Sequence, residues 1–272
     1  MHAAAYKHVP IQEIYPWMAV DTNIGGTLNL IKMADKYNSE KFVLVSTDKA
    51  VNPVNVMGAT KRIAEKLIQS FDSQSKTQFL AVRFGNVLGS SGSAVPIFQK
   101  QIKEGGPVTI THPEMKRYFM SIPEAAQLIL QASSLGQKGN IFLLDMGKPI
   151  KIDNMARDLI KLSGFEPDID IPIVYTGLRP GEKLYEELQS IGENIVKTNH
   201  TKILILKDGK VPIPWESLII SIELLLQASK DLKYDSIQAS LKELIPTYKP
   251  RKFESLMVDD LSIPFKIIEG EA

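Results

Sequence analysis

The chain has 272 residues, 44% of them hydrophobic, which is enough to bury a sizeable core in one or two domains. A formal net charge of +1 with 23% charged residues gives no basic bias, so charge points to no nucleic-acid partner. Cysteine is absent, which excludes disulfides, cysteine–zinc sites and thiol catalysis and fits a reducing cytoplasm.

In chain order, residues 17–37 carry Met18, Val20, Ile24, Leu28, Ile31 and Met33 at helical spacing, predicting a helix. Phe42–Ser46 reads as a buried strand, and Pro53 with its flanking asparagines as a turn. Residues 58–73 predict a helix with Ile63, Ala64, Leu67, Ile68 and Phe71 inward, followed by a strand over Phe79–Phe84. A Gly/Ser loop at 89–93 precedes a helix over Val95–Lys103 and a short strand at Val108–Ile110. Ile122–Ser134 is a helix with Pro123 in its first turn, Ile141–Asp145 a strand and Ile152–Leu162 a helix. From about 165 the elements shorten: a strand at Ile171–Tyr175, a helix beginning near Gly181, a strand at Lys202–Leu206, and a hairpin-like turn at Asp208-Gly209. Paired helices are predicted over 214–229 and 233–244; the apolar stretch Trp215–Gln227 is too short to span a membrane and is interrupted by Glu216 and Glu223. The N-terminus, MHAAAYKHVPIQE, lacks the basic region and apolar core of a signal peptide.

In open α/β sheets ligands are handled at the carboxyl ends of the strands. Ser46-Thr47-Asp48-Lys49 stands at such an end, and Met57 and Lys61, four residues apart, share one face of the following helix. Taken alone, Thr47-Asp48-Lys49 is more often a polar loop with Asp48 capping a turn than a functional group.

The run STDKAVNPVNVMGATK, Ser46 to Lys61, resembles the extended short-chain dehydrogenase/reductase superfamily, whose signature is Ser/Thr at a strand end followed by Tyr-x-x-x-Lys. Thr47 and Lys61 match that signature, and Met57 stands at the tyrosine position. That replacement, with an acid and a base directly after Thr47, resembles the membrane-anchored branch of the nucleotide-sugar 4,6-dehydratases of the polysaccharide-biosynthesis family. The resemblance implies NAD as cofactor, a UDP-sugar (UDP-N-acetylglucosamine) as substrate and a 4-keto-6-deoxy product for surface glycans, with C5 configuration retained. In such a reaction a hydride leaves C4, a base takes the C5 proton, an acid protonates the C6 hydroxyl, and the hydride returns to C6. Asp48 is then the acid and Lys49 the base, each with a shifted pKa; Lys61 grips the nicotinamide ribose. Met57 carries no exchangeable proton, so Thr47, alone or through water to Asp48, is the expected relay from the C4 hydroxyl.

HAAAYKHVP, from His2, resembles the family's segment just after the fourth strand of the nucleotide-binding domain. Gly89-Ser90-Ser91-Gly92 and Ile24-Gly25-Gly26-Thr27 fit neither G-x-G-x-x-G nor G-x-x-G-x-x-G. The expected fold is therefore a partial Rossmann-like, doubly wound parallel sheet, its first strands missing, with an interleaved smaller α/β substrate domain. A coarse division falls near 164: a nucleotide-binding part over 1–164 and a mainly substrate-binding part over 165–272. Such a truncated catalytic half is expected to aggregate alone or to depend on its N-terminal half, which in the parent carries a possible membrane anchor facing the cytoplasm; the full-length form is expected to be a homo-oligomer.

The same resemblance places Ala4, Tyr6, Asn23, Ser46 and Lys61 on NAD, and Lys7, His8, Asn86, Ser90, Arg117, Arg179 and Glu182 on the nucleotide sugar. RFGNVLGSSGSAVP, from Arg83, and RPGEKLYEEL, from Arg179, are the strings that carry the second set. By composition alone the first is a flexible loop. His2 and His8 at their spacing do not indicate a metal. Two rival readings are a UDP-sugar 4-epimerase, which needs no acid–base pair for C5 and C6, and a non-catalytic remnant that binds a sugar nucleotide or a partner protein.

Overall fold

The computed structural model describes residues 1–136, 139–189, 193–207 and 212–250. Helices α1 (Val9–Ile14), α2 (Pro16–Ala19) and α3 (Gly26–Lys36) lead into β1 (Lys41–Val45), α4 (Val56–Phe71), β2 (Gln78–Arg83) and β3 (Asn86–Val87). Then come α5 (Ala94–Lys103), β4 (Val108–Ile110), β5 (Lys116–Arg117), β6 (Phe119–Met120), α6 (Ile122–Leu135) and β7 (Ile141–Leu144). β8 (Ile150–Lys151), α7 (Ile152–Leu162), β9 (Ile173–Tyr175), β10 (Asn194–Lys197), β11 (Ile203–Lys207), α8 (Trp215–Lys230) and α9 (Tyr234–Leu244) complete the order.

The main sheet runs β1-β2-β7-β11-β10, with β1, β2 and β7 parallel and the last two strands antiparallel. On the open flank of β1, His2 forms a parallel bridge to Leu44; its N–H donates to the Val43 carbonyl at 2.8 Å and its carbonyl accepts from Val45 N–H at 2.9 Å. The three parallel strands are continuous apolar runs because both faces are covered. Phe42, Leu44, Phe79, Ala81, Ile141 and Leu143 face the helices α3, α4, α8 and α9. Val43, Leu80, Val82, Phe142 and Leu144 face α6 through Ala125, Leu128, Ile129 and Ala132. This is the mixed α/β, Rossmann-like architecture that the family resemblance implies. A third cluster, with Phe98, Ile102, Val108, Ile110, Ile152, Ile160 and Ile171, joins α5, β4 and α7. Around it lie three two-stranded ladders, β3-β6, β4-β9 and β5-β8.

Several elements depart from expectation. The predicted helix over 17–37 is interrupted by a π turn at Val20–Gly25, an insertion that apolar periodicity does not register. No helix begins near Gly181; that residue has φ +74° after Pro180 and sits in a turn. A Cβ there would lie 2.9 Å from both Asn55 Cβ and Val9 Cγ1, so the chain needs glycine to pass this close. β10 was not foreseen; it pairs with β11 across the turn at 198–202, where Thr198 Oγ1 donates to the Ile203 carbonyl at 2.7 Å. The Asp208-Gly209 turn lies outside the described residues.

The start of α4 is held from three directions. Asn55 caps it, accepting from Gly58 N–H at 2.7 Å and donating to the Gly181 carbonyl at 2.9 Å. Glu13 Oε1 accepts from Val56 N–H at 2.6 Å. Burial pushes the Glu13 carboxyl up to about 7, against the opposing bond from Val56. Its folded pKa is raised, so its contribution to stability is full below the ordinary value of 4.5 and is lost as pH rises through about 7. Glu13→Gln keeps the acceptor without the charge. It is expected to raise unfolding free energy by about 1–3 kcal/mol at pH 8 and to change little at pH 4, read by urea denaturation at both pH values.

Candidate active site

The carboxyl ends of β1 and β2 open onto a cavity of about 510 Å³, closed on the far side by α5, β4 and the Arg179–Glu182 turn. Ser46 N–H donates to the Val82 carbonyl and Asp48 N–H to the Phe84 carbonyl, which extends the sheet's hold beyond β1. Thr47 then caps a tight turn over Asp48–Ala50. Asp48 Oδ1 accepts from Thr47 Oγ1 at 2.9 Å and from Lys49 Nζ at 3.1 Å. Lys49 Nζ also donates to Asn86 Oδ1 at 3.2 Å and lies 3.6 Å from Glu186 Oε1.

The amine of Lys61 enters the same cavity and donates to the Val45 carbonyl at 2.6 Å. One acceptor leaves an ammonium two further donors. Burial pushes this amine down to about 8, against the opposing charge of Glu65. Met57 lines the cavity one turn before it and is itself almost wholly buried.

Lys49 departs from expectation. Burial alone would push its amine down, but the Asp48 and Glu186 carboxylates outweigh that and hold it above the usual lysine range. With Asp48, Asn86 and Glu186 around one nitrogen, the amine is an ammonium in this state rather than a ready base.

The cavity also collects Tyr6, Lys7, His8, Ser90, Arg179 and Glu182. Lys7 Nζ donates to Ser90 Oγ at 3.4 Å, and the His8 ring covers Gly92 so closely that a Cβ there would meet it at 2.6 Å. Glu182 Oε2 accepts from Arg179 N–H at 3.1 Å, closing its own turn. Arg117 lines the cavity, but its guanidinium donates to the carbonyls of Lys116, Lys183 and Leu184, which fix its orientation. Ser46 lines the cavity while donating to Glu65 Oε1 at 2.6 Å.

Ala4, Asn23 and Asp48 are not among the cavity-lining residues. Asn23 supports the wall instead: its side chain accepts from Tyr6 N–H at 2.8 Å, and donates to the Tyr6 carbonyl at 3.1 Å and to Thr60 Oγ1 at 3.0 Å. His2 is buried as well, its Nε2 2.9 Å from Thr27 Oγ1, and burial pushes its imidazole down to about 4. Arg83, expected in the sugar-binding string, is turned away from the cavity and fully buried between Glu65 and Glu193. No cluster of three potential metal-ligating His, Cys, Asp or Glu side chains occurs among the described residues.

Residues 1–208 match the family described as polysaccharide biosynthesis protein. The chain belongs to that family. Within it, the capsular polysaccharide biosynthesis protein CapD of Staphylococcus aureus is 61% identical over 193 residues, which are 71% of this chain and 32% of CapD. A UDP-glucose 4-epimerase of Rickettsia canadensis is 41% identical over 192 residues, 70% of this chain and 55% of that enzyme. The chain thus spans about a third of CapD and about half of the epimerase. The crystal structure of Pen from Bacillus thuringiensis superposes with a TM-score of 0.71 at 36% identity, over 82% of this chain and 74% of Pen.

Two participants in this family member's site were missed in the sequence. Glu186 belongs to the RPGEKLYEEL string and reaches Lys49 only through the fold. Glu65, one turn beyond Lys61, was not singled out; it lies fully buried beneath Ser46, accepting two bonds from Arg83. Its one signal was position, four residues after Lys61 on the same helical face.

Proposed function

We propose that this chain is the catalytic part of a nucleotide-sugar 4,6-dehydratase acting on UDP-N-acetylglucosamine, of the type that retains configuration at C5. The observation that carries this reading is the gathering of Thr47, Asp48 and Lys49 at one strand end with the amine of Lys61 in the same cavity. NAD, when bound, supplies the reversible acceptor for a hydride. Lys61 suits the ribose next to the nicotinamide, because its amine has donors left beyond Val45. A pyrophosphate cradle is a different matter: no glycine-rich turn of the required pattern occurs in the 272 residues.

The chain's own groups divide the proton work. Thr47 donates to Asp48 Oδ1 and so provides a route for a proton leaving the C4 hydroxyl, a task Met57 cannot perform. Asp48 is the proton source for the departing C6 hydroxyl, delivered through Thr47 Oγ1 because Asp48 itself does not line the cavity, and Lys49, once it has lost a proton, takes the one on C5. Adjacent residues suit neighbouring carbons. Lys7, Ser90, Arg117 and Arg179 line the region in which the diphosphate would lie. On the same reading the chain works in the cytoplasm, within a membrane-anchored, homo-oligomeric parent. Among the described residues no helix is long and apolar enough to cross a membrane.

The likeness to a UDP-glucose 4-epimerase supports a second reading, epimerisation at C4. Mass separates the two. The chain, and a version extended at its N-terminus, would be incubated with UDP-N-acetylglucosamine and NAD. Loss of one water by the extended chain is the expected result. Substrate that returns with unchanged mass but a new C4 configuration would replace the dehydratase reading with the epimerase one.

A further inference from the structure

Glu186 is a buried carboxylate without a full set of partners. Its side chain is 3% exposed, its Oε1 lies 3.6 Å from Lys49 Nζ and 3.8 Å from Arg117 Nε, and its Oε2 has no hydrogen-bond partner. A buried anion held this loosely is costly unless a nearby positive charge needs it. Arg117 has less need, because three backbone carbonyls take its N–H groups. Among the described residues, Lys49 is the remaining cation paired with Glu186. Asp48, the other carboxylate at this amine, is also incompletely bonded: its Oδ1 holds Thr47 and Lys49, and its Oδ2 has no partner. The four charged groups facing one another are therefore Lys49, Arg117, Asp48 and Glu186, two of each sign, with Asn86 as the neutral fifth member.

We propose that Glu186 is the positioning residue of Lys49: a second carboxylate that holds the amine as an ammonium against Asp48 and Asn86 and sets the pH at which Lys49 becomes a base. This deepens the dehydratase reading and rests on it for the role of Lys49. Asp48 and Asn86 approach the nitrogen from the strand side, and Glu186 from the RPGEKLYEEL segment, so the amine is held between the sheet and the substrate-side turn. The direction of the Lys49 shift agrees: burial opposes its charge, and the two carboxylates override burial.

The test reads the charge on Lys49 without any turnover. Trace acetic anhydride labels lysines in proportion to their free-amine fraction, and peptide mass analysis across a pH series gives the midpoint for each. In the unaltered chain, the Lys49 midpoint is expected above that of exposed lysines. Glu186→Gln is expected to lower it by about one pH unit, an approximately tenfold gain in labelling at pH values below both midpoints. Glu186→Asp keeps the charge and is expected to stay near the parent, and Lys61 serves as the internal reference in all three.

A Lys49 midpoint in the parent at or below that of exposed lysines overturns the proposal. So does an equal midpoint in Glu186→Gln and the parent, or an equal shift in the Asp and Gln variants, which would mark a packing effect. The dehydratase reading fails separately. Were the extended chain to form no dehydrated sugar while the labelling shift stood, the Glu186–Lys49 pairing would survive and the reaction assignment would not.

Discussion

Arg83→Met is expected to cost ~3–5 kcal/mol of folding stability at pH 7. Arg83 is fully buried; its Nε and Nη2 donate to the two oxygens of Glu65 at 2.7 and 2.8 Å, and Nη1 and Nη2 donate to Glu193 at 3.1 Å. Arg62 closes the arrangement, 2.9 Å from Glu65 and 3.3 Å from Glu193. Removing Arg83 leaves two buried carboxylates to one guanidinium. Burial would push Glu65 up, but Arg83 outweighs it and holds the carboxyl down at about 2. A depressed folded pKa contributes stability above the ordinary value of 4.5 and loses it as pH falls towards 2, so the deficit of Arg83→Met should shrink on acidification. Urea denaturation at pH 7 and pH 4 checks this, with Arg83→Met/Glu65→Gln expected to recover part of the loss at pH 7. An equal deficit at both pH values would mean that lost packing, not unpaired charge, dominates.

Gly58→Ala should remove activity while leaving a folded protein. A Cβ at Gly58 would stand 2.1 Å from the Lys49 carbonyl oxygen and 3.0 Å from Asn55 Oδ1, so the obstacle is backbone and cannot rotate aside. The turn at Asp48–Ala50 would have to move off the start of α4, taking with it Asp48 and Lys49, the proposed acid and base. A displacement of about 1 Å at reacting groups costs on the order of 100-fold in turnover. Stability should fall by about 1–3 kcal/mol, as for overpacking elsewhere. The matched control is Gly26→Ala, where the nearest atom to the new Cβ is the Asp21 carbonyl at 3.9 Å. That variant should keep full turnover in the extended chain and lose no stability, because alanine suits a helix better than glycine.

What the sequence disclosed followed from range along the chain. Phe42–Val45 and Phe79–Phe84 were legible as strands because a strand covered on both faces is an unbroken apolar run. Thr47, Asp48, Met57 and Lys61 were legible as a group because one strand end and the next helix place them close together and their spacing resembles the dehydrogenase/reductase signature. The two-residue ladders were not, since Asn86–Val87 and Phe119–Met120 become strands only by finding each other. β10 is exposed at all four positions and so carries no pattern of burial. The expected helix at Gly181 failed because φ +74° and the contacts with Val9 and Asn55 override the helix-forming residues that follow. Glu186 was invisible for the same reason as the ladders: its partner Lys49 lies in a distant segment.

The helix pair at the end of the chain bears on where this protein begins and ends as a structural unit. The family model ends at residue 208, yet Leu218, Ile222, Leu225, Ile237, Leu241 and Tyr248 belong to the same buried cluster as Ile63, Leu67 and Phe79. Lys249 N–H even donates to the Pro53 carbonyl, in the loop between the Thr47 turn and the helix bearing Lys61. The family model and the packing therefore end at different residues. A fragment cut at residue 208 would leave the lysine-bearing helix with one flank stripped to solvent, and domain swaps are better joined beyond residue 249 than at residue 208.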